Sequence, residues 1–487
     1  MASYTTEVTQ SLPFVITPVG QELIVGLSCA GAVANEQNVK FCFNIIVCTT
    51  FGLMGGSQCT DLGVFKTTPN NTGRGFLDMG TLLDNYVSAD NIACSDSNFK
   101  VLAANGRPFP THLIDKYSRA DNSVRMLMVR GYTEYTDSTS GTVVETALVD
   151  VVMGRILNAY AKESNLLKWT DASFMGDAFG FGFSLEDYAP TKATDGAKFL
   201  TNSPSILYAR INDYGTLSFL AVHNFMPNQV SEIAVTYYQV DMYDSSDSLL
   251  DTYTIERTEA YGGFDGTSNV PISGYILYIA AFPGNLRVND DFNDQINDMA
   301  YYTIGLYDDA DNLISEVKRV DILCPNLKGY ERVRLTWLNQ FGTWDYFTFN
   351  QKSVKKISTK GTTYQQLGGS WNSKHYEPYG YKGGKKSFRV NATETIKMNT
   401  DYLTEEHSEW FEELINSPEI YILKERSGIR QQNNYALSGS IMNTFNQYMT
   451  PCTLKTKSFT KKTVANDKLI QYTFEVEKAR NLRTQAI

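Results

Sequence analysis

Residues 470–477 read Ile-Gln-Tyr-Thr-Phe-Glu-Val-Glu, an unbroken alternation of apolar and polar side chains. Successive side chains of a strand point to opposite faces of a sheet, so this pattern is typical of a strand with one buried face. Residues 333–337, Val-Arg-Leu-Thr-Trp, alternate in the same way. The last third of the chain is therefore predicted to form a β domain.

The N-terminal part has the composition of strands joined by short loops. Residues 14–28 (FVITPVGQELIVGLS) and 39–50 (VKFCFNIIVCTT) are rich in β-branched and aromatic residues. Residues 142–160 have a spacing of Leu148, Val152 and Ile156 that also suits a helix, but their many β-branched residues favour a strand. A sheet structure is predicted for this part as well.

A weak internal repeat lies in the middle of the chain. Residues 242–250 read MYDSSDSLL, and residues 306–314 read LYDDADNLI. Aspartate, serine and asparagine between strands favour hairpin turns, so two matched hairpins in an immunoglobulin-like or fibronectin-like sandwich are predicted. A calcium site at residues 308–312 is the alternative, but the segment lacks the glycine and the distal glutamate of an EF-hand loop.

The 487 residues suggest about three domains. We predict a mainly β fold of tandem immunoglobulin-like or fibronectin-like β-sandwich domains, at 1–204 and 205–325, followed by a basic C-terminal β domain at 326–487. One short helix is predicted at 404–416, because Glu405 and Glu406 suit a helix N-terminus and Trp410 and Leu414 share a face. Ser417-Pro418 ends it.

The seven cysteines form no CxxC pair, and five of them lie among apolar residues in the first hundred positions. Buried free thiols, made in a reducing cytoplasm, are predicted in preference to a disulfide framework or a zinc site. The seven are Cys29, Cys42, Cys48, Cys59, Cys94, Cys324 and Cys452.

The sequence offers no catalytic, cofactor-binding or metal-binding motif, so a non-enzymatic protein without a cofactor is predicted. The four histidines, His112, His223, His375 and His407, lack metal-ligand spacing. The segment 380–387 resembles a phosphate loop but is one residue short and leads into a strand-like stretch. The glycine-rich segment 176–183 is predicted to be a loop. Neither a signal peptide nor a membrane span is expected.

Charge divides the chain into two opposite parts. Residues 1–320 hold 19 Lys and Arg against 37 Asp and Glu, whereas residues 321–487 hold 24 against 16. This asymmetry suits an acidic surface on one copy that docks on a basic surface of the next, or contact with a nucleic acid. A solvated charged surface without a partner is the alternative.

The basic residues are densest between positions 352 and 389, where five aromatic residues accompany them. This combination predicts a surface that faces either the DNA backbone or a protein partner, and the alternative is a long solvated lysine-rich loop. The basic residues are Lys352, Lys355, Lys356, Lys360, Lys374, Lys382, Lys385, Lys386 and Arg389; the aromatic ones are Tyr364, Trp371, Tyr376, Tyr379 and Tyr381.

Several segments, in their order, resemble tail ring and tail hub proteins of crAss-like bacteriophages that infect Bacteroidetes. The segments are 38–41, 66–70, 75–78, 199–204, 215–219, 337–347 and 466–474. The resemblance implies stacked β-sandwich modules that form a closed ring around the tail axis, between the portal and the distal tail. It offers no catalytic motif to transfer.

The leading hypothesis is a virion structural protein of a phage tail, assembled in the cytoplasm of the bacterial host. Its expected partners are further copies of itself, adjacent tail or portal proteins, and DNA in the tail channel through contacts that ignore sequence. A tail adhesin that binds host glycans is the second hypothesis, with Trp371, Tyr376 and Tyr379 stacking on sugar rings. A polysaccharide-degrading tail enzyme with two catalytic carboxylates is the third.

Overall fold

The computed structural model describes residues 4–12, 16–48, 59–93, 110–120, 122–166, 179–180, 183, 185, 188, 196–220, 235–256, 276–323, 329–424, 448–458, 470–480 and 482–483. These residues are mainly β, which confirms the predicted fold class, and their strands form five sheets. The chain divides into two compact units. The first contains the described residues up to Leu323 together with Leu338–Asp345, and the second contains most of the remainder.

Two sheets face each other at the start of the first unit. The four-stranded sheet has the order β11 (Phe179–Gly180), β1 (Glu7–Ser11), β3 (Ile24–Ser28), β6 (Arg74–Asp78). The six-stranded sheet has the order β2 (Ile16–Gly20), β10 (Val149–Tyr160), β8 (Val124–Thr136), β4 (Gln37–Cys48), β5 (Cys59–Thr67), with β9 (Val143–Glu145) beside β8. The segment predicted as strand at 142–160 thus forms two strands, β9 and β10, rather than one.

Close packing joins these two sheets into a sandwich. A Cβ atom added to Gly131 of β8 would lie 2.6 Å from the side chain of Leu27 on β3, so the glycine admits that leucine. The hydroxyl of Ser11 donates to the carbonyl of Val151 across the sandwich at 2.7 Å. The residues between the sheets are apolar and almost fully buried, which is the main source of stability here.

A second pair of sheets follows in the same unit. The three-stranded sheet has the order β13 (Thr216–Leu220), β16 (Ile276–Ala280), β7 (Tyr117–Arg119). The five-stranded sheet has the order β12 (Ile206–Ala209), β18 (Lys318–Ile322), β17 (Tyr301–Tyr307), β14 (Tyr237–Tyr243), β15 (Leu249–Glu256). Tyr117 and Tyr238 join the pair edge to face, with ring centroids 5.1 Å apart. The strand β7 lies before residue 204, and the domain boundaries at 204 and 325 stay predictions.

Both predicted hairpin turns of the internal repeat are present. The Asp244 carboxylate accepts from the amides of Ser246 and Ser248, and the Asp308 carboxylate accepts from those of Ala310 and Asn312. These are ordinary turns in which an aspartate side chain organises its own backbone.

The second unit is built on the C-terminal sheet. Its order is β20 (Trp344–Phe349), β19 (Val333–Leu338), β23 (Ile420–Leu423), β24 (Met449–Leu454), β25 (Thr473–Lys478), β22 (Gly384–Asn399), β21 (Val354–Gln366), with β26 (Leu482–Arg483) beside β22. The predicted helix is confirmed at Glu406–Asn416. Its Trp410 and Phe411 pack on Trp337 and Phe474, with ring centroids 5.0 and 5.3 Å apart respectively, in a core dominated by aromatic side chains.

Short helices occur where the sequence pattern gives no signal, because one turn shows no periodicity. They are Ala30–Asn35, Gly80–Leu83, Glu163–Leu166, Pro283–Leu286 and Asp290–Gln295, with 3-10 turns at Asp84–Tyr86 and Thr111–Leu113. Among the described residues, no helix has the length and apolar character needed to cross a membrane.

The prediction of free thiols is wrong for two cysteines. Cys48 and Cys59 form a disulfide, because the antiparallel pairing of β4 with β5 places them directly opposite each other. Cys29, Cys42 and Cys452 are buried free thiols, as predicted. Cys94 and Cys324 lie outside the described residues.

Candidate functional site

The basic segment forms a long two-stranded hairpin. β21 and β22 pair from Val354 opposite Lys397 to Gln366 opposite Gly384, with one shift of register between Thr362 and Thr363. β22 also contacts β25 and β26, but only from Asn391 onwards. Towards the tip, each strand pairs only with the other in the described part of the chain. We call residues 352–391 the arm.

The arm is ordered strand and turn, not the long lysine-rich loop considered as an alternative. The first ten residues of β21 are all exposed, so side chains on both faces of the ribbon reach solvent. An isolated hairpin is only marginally stable in water, and strands in compact domains usually cover at least one face. The described part of the chain therefore leaves both faces of the arm exposed along the first ten residues of β21.

Strand register collects positive charge on one face of the arm. Lys356 lies opposite Thr395, Lys360 opposite Asn391, and Arg389 opposite Thr362, and residues opposite each other in a pair share a face. Thr362 lies opposite Arg389 and Thr363 opposite Ser387, so Phe388 is an extra residue on β22 and marks a bulge. Along this face between Lys356 and Arg389, neither strand contributes a carboxylate.

The charge of the arm is almost unneutralised. Residues 352–389 contain nine lysines and arginines and one carboxylate, Glu377. Within the described chain, Lys355 alone of the nine forms an ion pair, with Glu331. The side chain of Arg389 donates to the amide oxygen of Asn391 at 3.0 Å. Such a concentration of one charge sign attracts an acidic partner and steers it during encounter.

The tip of the arm is organised by aromatic side chains. Trp371 lies 5.3 Å from Tyr376, and Tyr379 stacks on Tyr381 at 5.9 Å, measured between ring centroids. The ammonium of Lys382 lies over both rings of the second pair, at 5.1 and 5.7 Å. These contacts are cation–π interactions.

A glycine fixes the geometry of the tip. Gly369 has a φ of +68°, and a Cβ atom there would meet the ring of Tyr376 at 2.8 Å. The amide of Ser370 then donates to the carbonyl of Glu377 at 2.9 Å, which closes the tip across the turn.

Large apolar side chains are exposed along the whole arm. Trp371 is 67% exposed and Tyr381 is 71% exposed. Exposed aromatic residues gathered on one surface are typical of interfaces rather than of free surface. The set comprises Val354, Ile357, Leu367, Trp371, Tyr376, Tyr381 and Phe388.

A second surface, which the sequence pattern did not reveal, lies on the outer face of the five-stranded sheet. Tyr237 on β14 stacks on Tyr307 on β17, and Tyr243 stacks on Tyr301, with centroids 5.2 and 4.9 Å apart. All four rings are half-buried. We call these tyrosines, with the carboxylates that border them, the Tyr–Asp face.

The Tyr–Asp face has two matching halves because the internal repeat continues beyond the segments 242–250 and 306–314 that the sequence pattern indicated. The hydroxyl of Tyr237 donates to Asp311 at 2.8 Å, and that of Tyr301 donates to Asp247 at 3.0 Å. Burial, reinforced by the bond to Asp311, raises the pKa of Tyr237 to about 12. The repeat therefore extends to 237–250 and 301–314, with tyrosines six positions apart and an aspartate four positions later.

The two halves differ at several positions, one of which is the position of Arg319. The guanidinium of Arg319 on β18 lies 3.6 Å above the ring of Tyr301 and forms an ion pair with Asp321 at 2.6 Å. In the other half, Glu256 on β15 lies opposite Tyr237, as Asp321 lies opposite Tyr301. The position equivalent to Arg319 is occupied by Thr254.

The histidines do not converge. His112 and His407 are buried in different units, His375 is exposed at the arm tip, and His223 lies outside the described residues. Burial lowers the pKa of His407 to about 4. No group of three or more metal-ligating side chains occurs among the residues that the structure covers.

No family model matches the chain, and no curated protein matches it. Among solved structures it is similar to the native conformation of E. coli alpha-2-macroglobulin, at 8% identity and a TM-score of 0.20. That match covers 81% of this chain and 22% of the macroglobulin, so this chain spans about a fifth of that protein. A likeness this weak does not inform the function.

Proposed function

We propose that this chain is a structural subunit of a bacteriophage tail, a ring or hub component that assembles with copies of itself and with adjacent tail proteins. The arm is the observation that carries the proposal. It exposes both faces of a ribbon, aromatic anchors at its tip, and a positive charge of which the described chain pairs only Lys355 with a carboxylate. The tail itself is proposed from the resemblance in the order of the sequence segments.

Binding chemistry explains why assembly is the favoured role. Specific interfaces combine buried aromatic anchors with charges that complement the partner, and the arm supplies both. The first 320 residues carry an excess of acidic residues that a basic arm can contact in a neighbouring copy. A contact between two different surfaces of identical chains closes into a ring if its rotation permits.

The assembly proposal is tested by light scattering of the purified chain over a range of concentrations, followed by negative-stain imaging. We expect a mass several times that of the 54.6 kDa chain, and closed particles in the images. A monomer at every concentration would contradict the proposal.

A host-glycan adhesin is the second candidate, favoured by one observation. Trp371 and Tyr376 form an exposed aromatic pair at the end of a projecting arm, and flat rings of this kind stack on sugars. A glycan array that gives a signal with the wild-type chain, and none with Trp371→Ala, would support this candidate. No signal on any glycan, together with assembly in solution, would reject it.

A further inference from the structure

The two faces of the arm differ in chemistry. Side chains alternate between the faces along β21, and residues opposite each other in the pair share a face. One face is formed by residues 356, 358, 360 and 362 of β21 and by their partners 395, 393, 391 and 389, and we call it the cationic face. It carries three cations, four hydroxyls and one amide, with neither a carboxylate nor an apolar side chain. The cations are Lys356, Lys360 and Arg389. The opposite face carries Ile357, which is 62% exposed, and Glu394.

The cations of this face are available to a ligand. Lys356, Lys360 and Arg389 are exposed, and neither lysine ammonium has a partner within the described chain. At the base of the arm, Glu477 of β25 lies on the same side of the sheet, because it pairs with residue 395. Its carboxylate already forms an ion pair with Lys455 at 2.7 Å. The positive charge of the cationic face therefore stays open to an anion from another molecule.

The composition of the cationic face suits phosphate groups better than it suits a protein. Interfaces between proteins have an apolar core and are depleted in lysine, whereas interfaces with DNA are more polar and much more positively charged. Phosphate oxygens accept hydrogen bonds from lysine, arginine, serine, threonine and asparagine side chains. These five residue types make up the whole cationic face. The face therefore matches a polymer of phosphates.

The shape of the arm suits a DNA duplex. The major groove of B-form DNA is about 12 Å wide and admits a two-stranded β-ribbon. Beyond Asn391 towards the tip, no third strand of the described chain pairs with the ribbon. Lys356 lies about 20 Å along the ribbon from Arg389, at roughly 3.4 Å for each residue of β21. Each DNA strand carries one phosphate per about 3.4 Å of the helix axis, so all three cations find phosphates within reach over this length.

We propose that the cationic face of the arm binds the phosphate backbone of duplex DNA at the major groove, without reading its sequence. The three cations pair with phosphates, and the hydroxyls beside them bond phosphate oxygens. This inference goes beyond the proposed function, because DNA binding by the arm does not require assembly. The aromatic tip around Trp371 and Tyr381 remains for the contact with a neighbouring copy.

The proposal is tested by fluorescence anisotropy of a short labelled DNA duplex, titrated with the full chain at several salt concentrations. Each phosphate contact contributes about −0.9 to the slope of log K against the logarithm of the salt concentration. K356Q/K360Q removes two such contacts, so we expect this slope to flatten by about 1.8 and the affinity at low salt to fall roughly tenfold or more. Duplexes of different sequence should bind the wild-type chain equally.

Two control variants separate the cationic face from the charge of the arm as a whole. K374Q/K385Q removes two exposed lysines of the arm that lie outside this face and should bind DNA like the wild type. K356R/K360R keeps both charges and should also bind like the wild type. Equal loss of affinity in K356Q/K360Q and K374Q/K385Q, or no binding by the wild-type chain at low salt, would overturn the proposal.

Other partners give different results. The major groove of duplex RNA is too deep and narrow for side chains to read, so equal affinity for duplex RNA and duplex DNA would overturn the proposal. Loss of assembly in K356Q/K360Q, together with no DNA binding by the wild type, would assign the cationic face to an acidic surface of a second copy and would also overturn it. DNA binding through this face by a chain that is always monomeric would support the inference and contradict the proposed function.

Discussion

Asp247 and Asp311 adopt φ values of 61° and 60°. Residues other than glycine, asparagine and aspartate tolerate this left-handed conformation poorly. Each ends a hairpin turn and each accepts a tyrosine hydroxyl from the neighbouring strand. One residue type thus meets a backbone requirement and builds a surface. Aspartate satisfies both, whereas glycine would satisfy only the first.

Substitution at these turns separates the two roles. We expect Asp311→Ala to lower the free energy of unfolding by about 1–2 kcal/mol, because alanine is strained at positive φ and the bond to Tyr237 is lost. Asp311→Asn should change it by less than about 0.5 kcal/mol, since asparagine tolerates this conformation. Urea unfolding measures both values, and an equal loss in the two variants would contradict the explanation.

His407 gives the second unit a pH-dependent stability. Its pKa falls from 6.5 to about 4 in the folded chain because burial disfavours the imidazolium. The unfolded state therefore binds more protons between pH 6.5 and pH 4, and the free energy of unfolding falls as the pH drops through this range. The expected loss is on the order of 2–3 kcal/mol by pH 4, and none above pH 7.

The contribution of His407 is isolated by comparison with His407→Gln. Urea unfolding of both proteins at several pH values between 7 and 4 should give a shallower decline for the variant. Parallel declines would mean that other groups cause the acid sensitivity.

At the scale of elements, the sequence pattern predicted those strands and the helix whose residues follow a local periodic pattern. Alternation located the strands at 333–337 and 470–477, and composition favoured strand over helix at 142–160, where the chain forms β9 and β10. The helix at 406–416 is long enough to show its apolar face. Single-turn helices could not be predicted, because they contain no repeat.

The candidate surfaces were predictable only in part, and for a related reason. The composition of residues 352–389 indicated a basic surface. It did not predict the strands that carry this surface, because their many lysine, threonine and glycine residues do not give the apolar alternation of a strand. The Tyr–Asp face depends on the register between β14 and β17, whose paired residues lie 58 to 70 positions apart, and sequence spacing alone does not give that register. The disulfide depends on the register between β4 and β5 in the same way.

The disulfide between Cys48 and Cys59 yields a prediction for its sandwich. It closes a short loop, with a sequence separation of 11, and cross-links of this size stabilise by roughly 2–3 kcal/mol. We expect the oxidised chain to unfold at higher urea than the reduced chain. Cys48→Ser/Cys59→Ser should match the reduced chain and lose its sensitivity to reductant. A reductant effect that persists in this variant would contradict the assignment.

At the scale of the whole molecule, the opposite charges of the two parts of the chain predict an assembly that responds to salt. Attraction between exposed charges is screened beyond about 10 Å at 0.1 M salt. We therefore expect the mean mass in solution to fall as salt increases, and the dissociation constant to rise roughly tenfold from low to high salt. An assembly held mainly by apolar contacts would keep its mass or gain it.

The distal arm is not part of the core of the second unit. Beyond Asn391 towards the tip, no described strand other than β21 pairs with β22, and the aromatic core around Trp410 and Phe411 packs on Trp337 of β19 and Phe474 of β25. Removal of the distal arm therefore takes away exposed surface and leaves the core strands paired.

The most direct measurement is the mass in solution of a chain in which residues 361–390 are replaced by Asn-Gly, a two-residue turn that joins Lys360 to Asn391. The account predicts a folded monomer, with circular dichroism typical of a β protein and a cooperative unfolding transition, under conditions in which the full chain assembles. A shortened chain with the same assembled mass as the full chain would contradict the claim that the arm makes the contact.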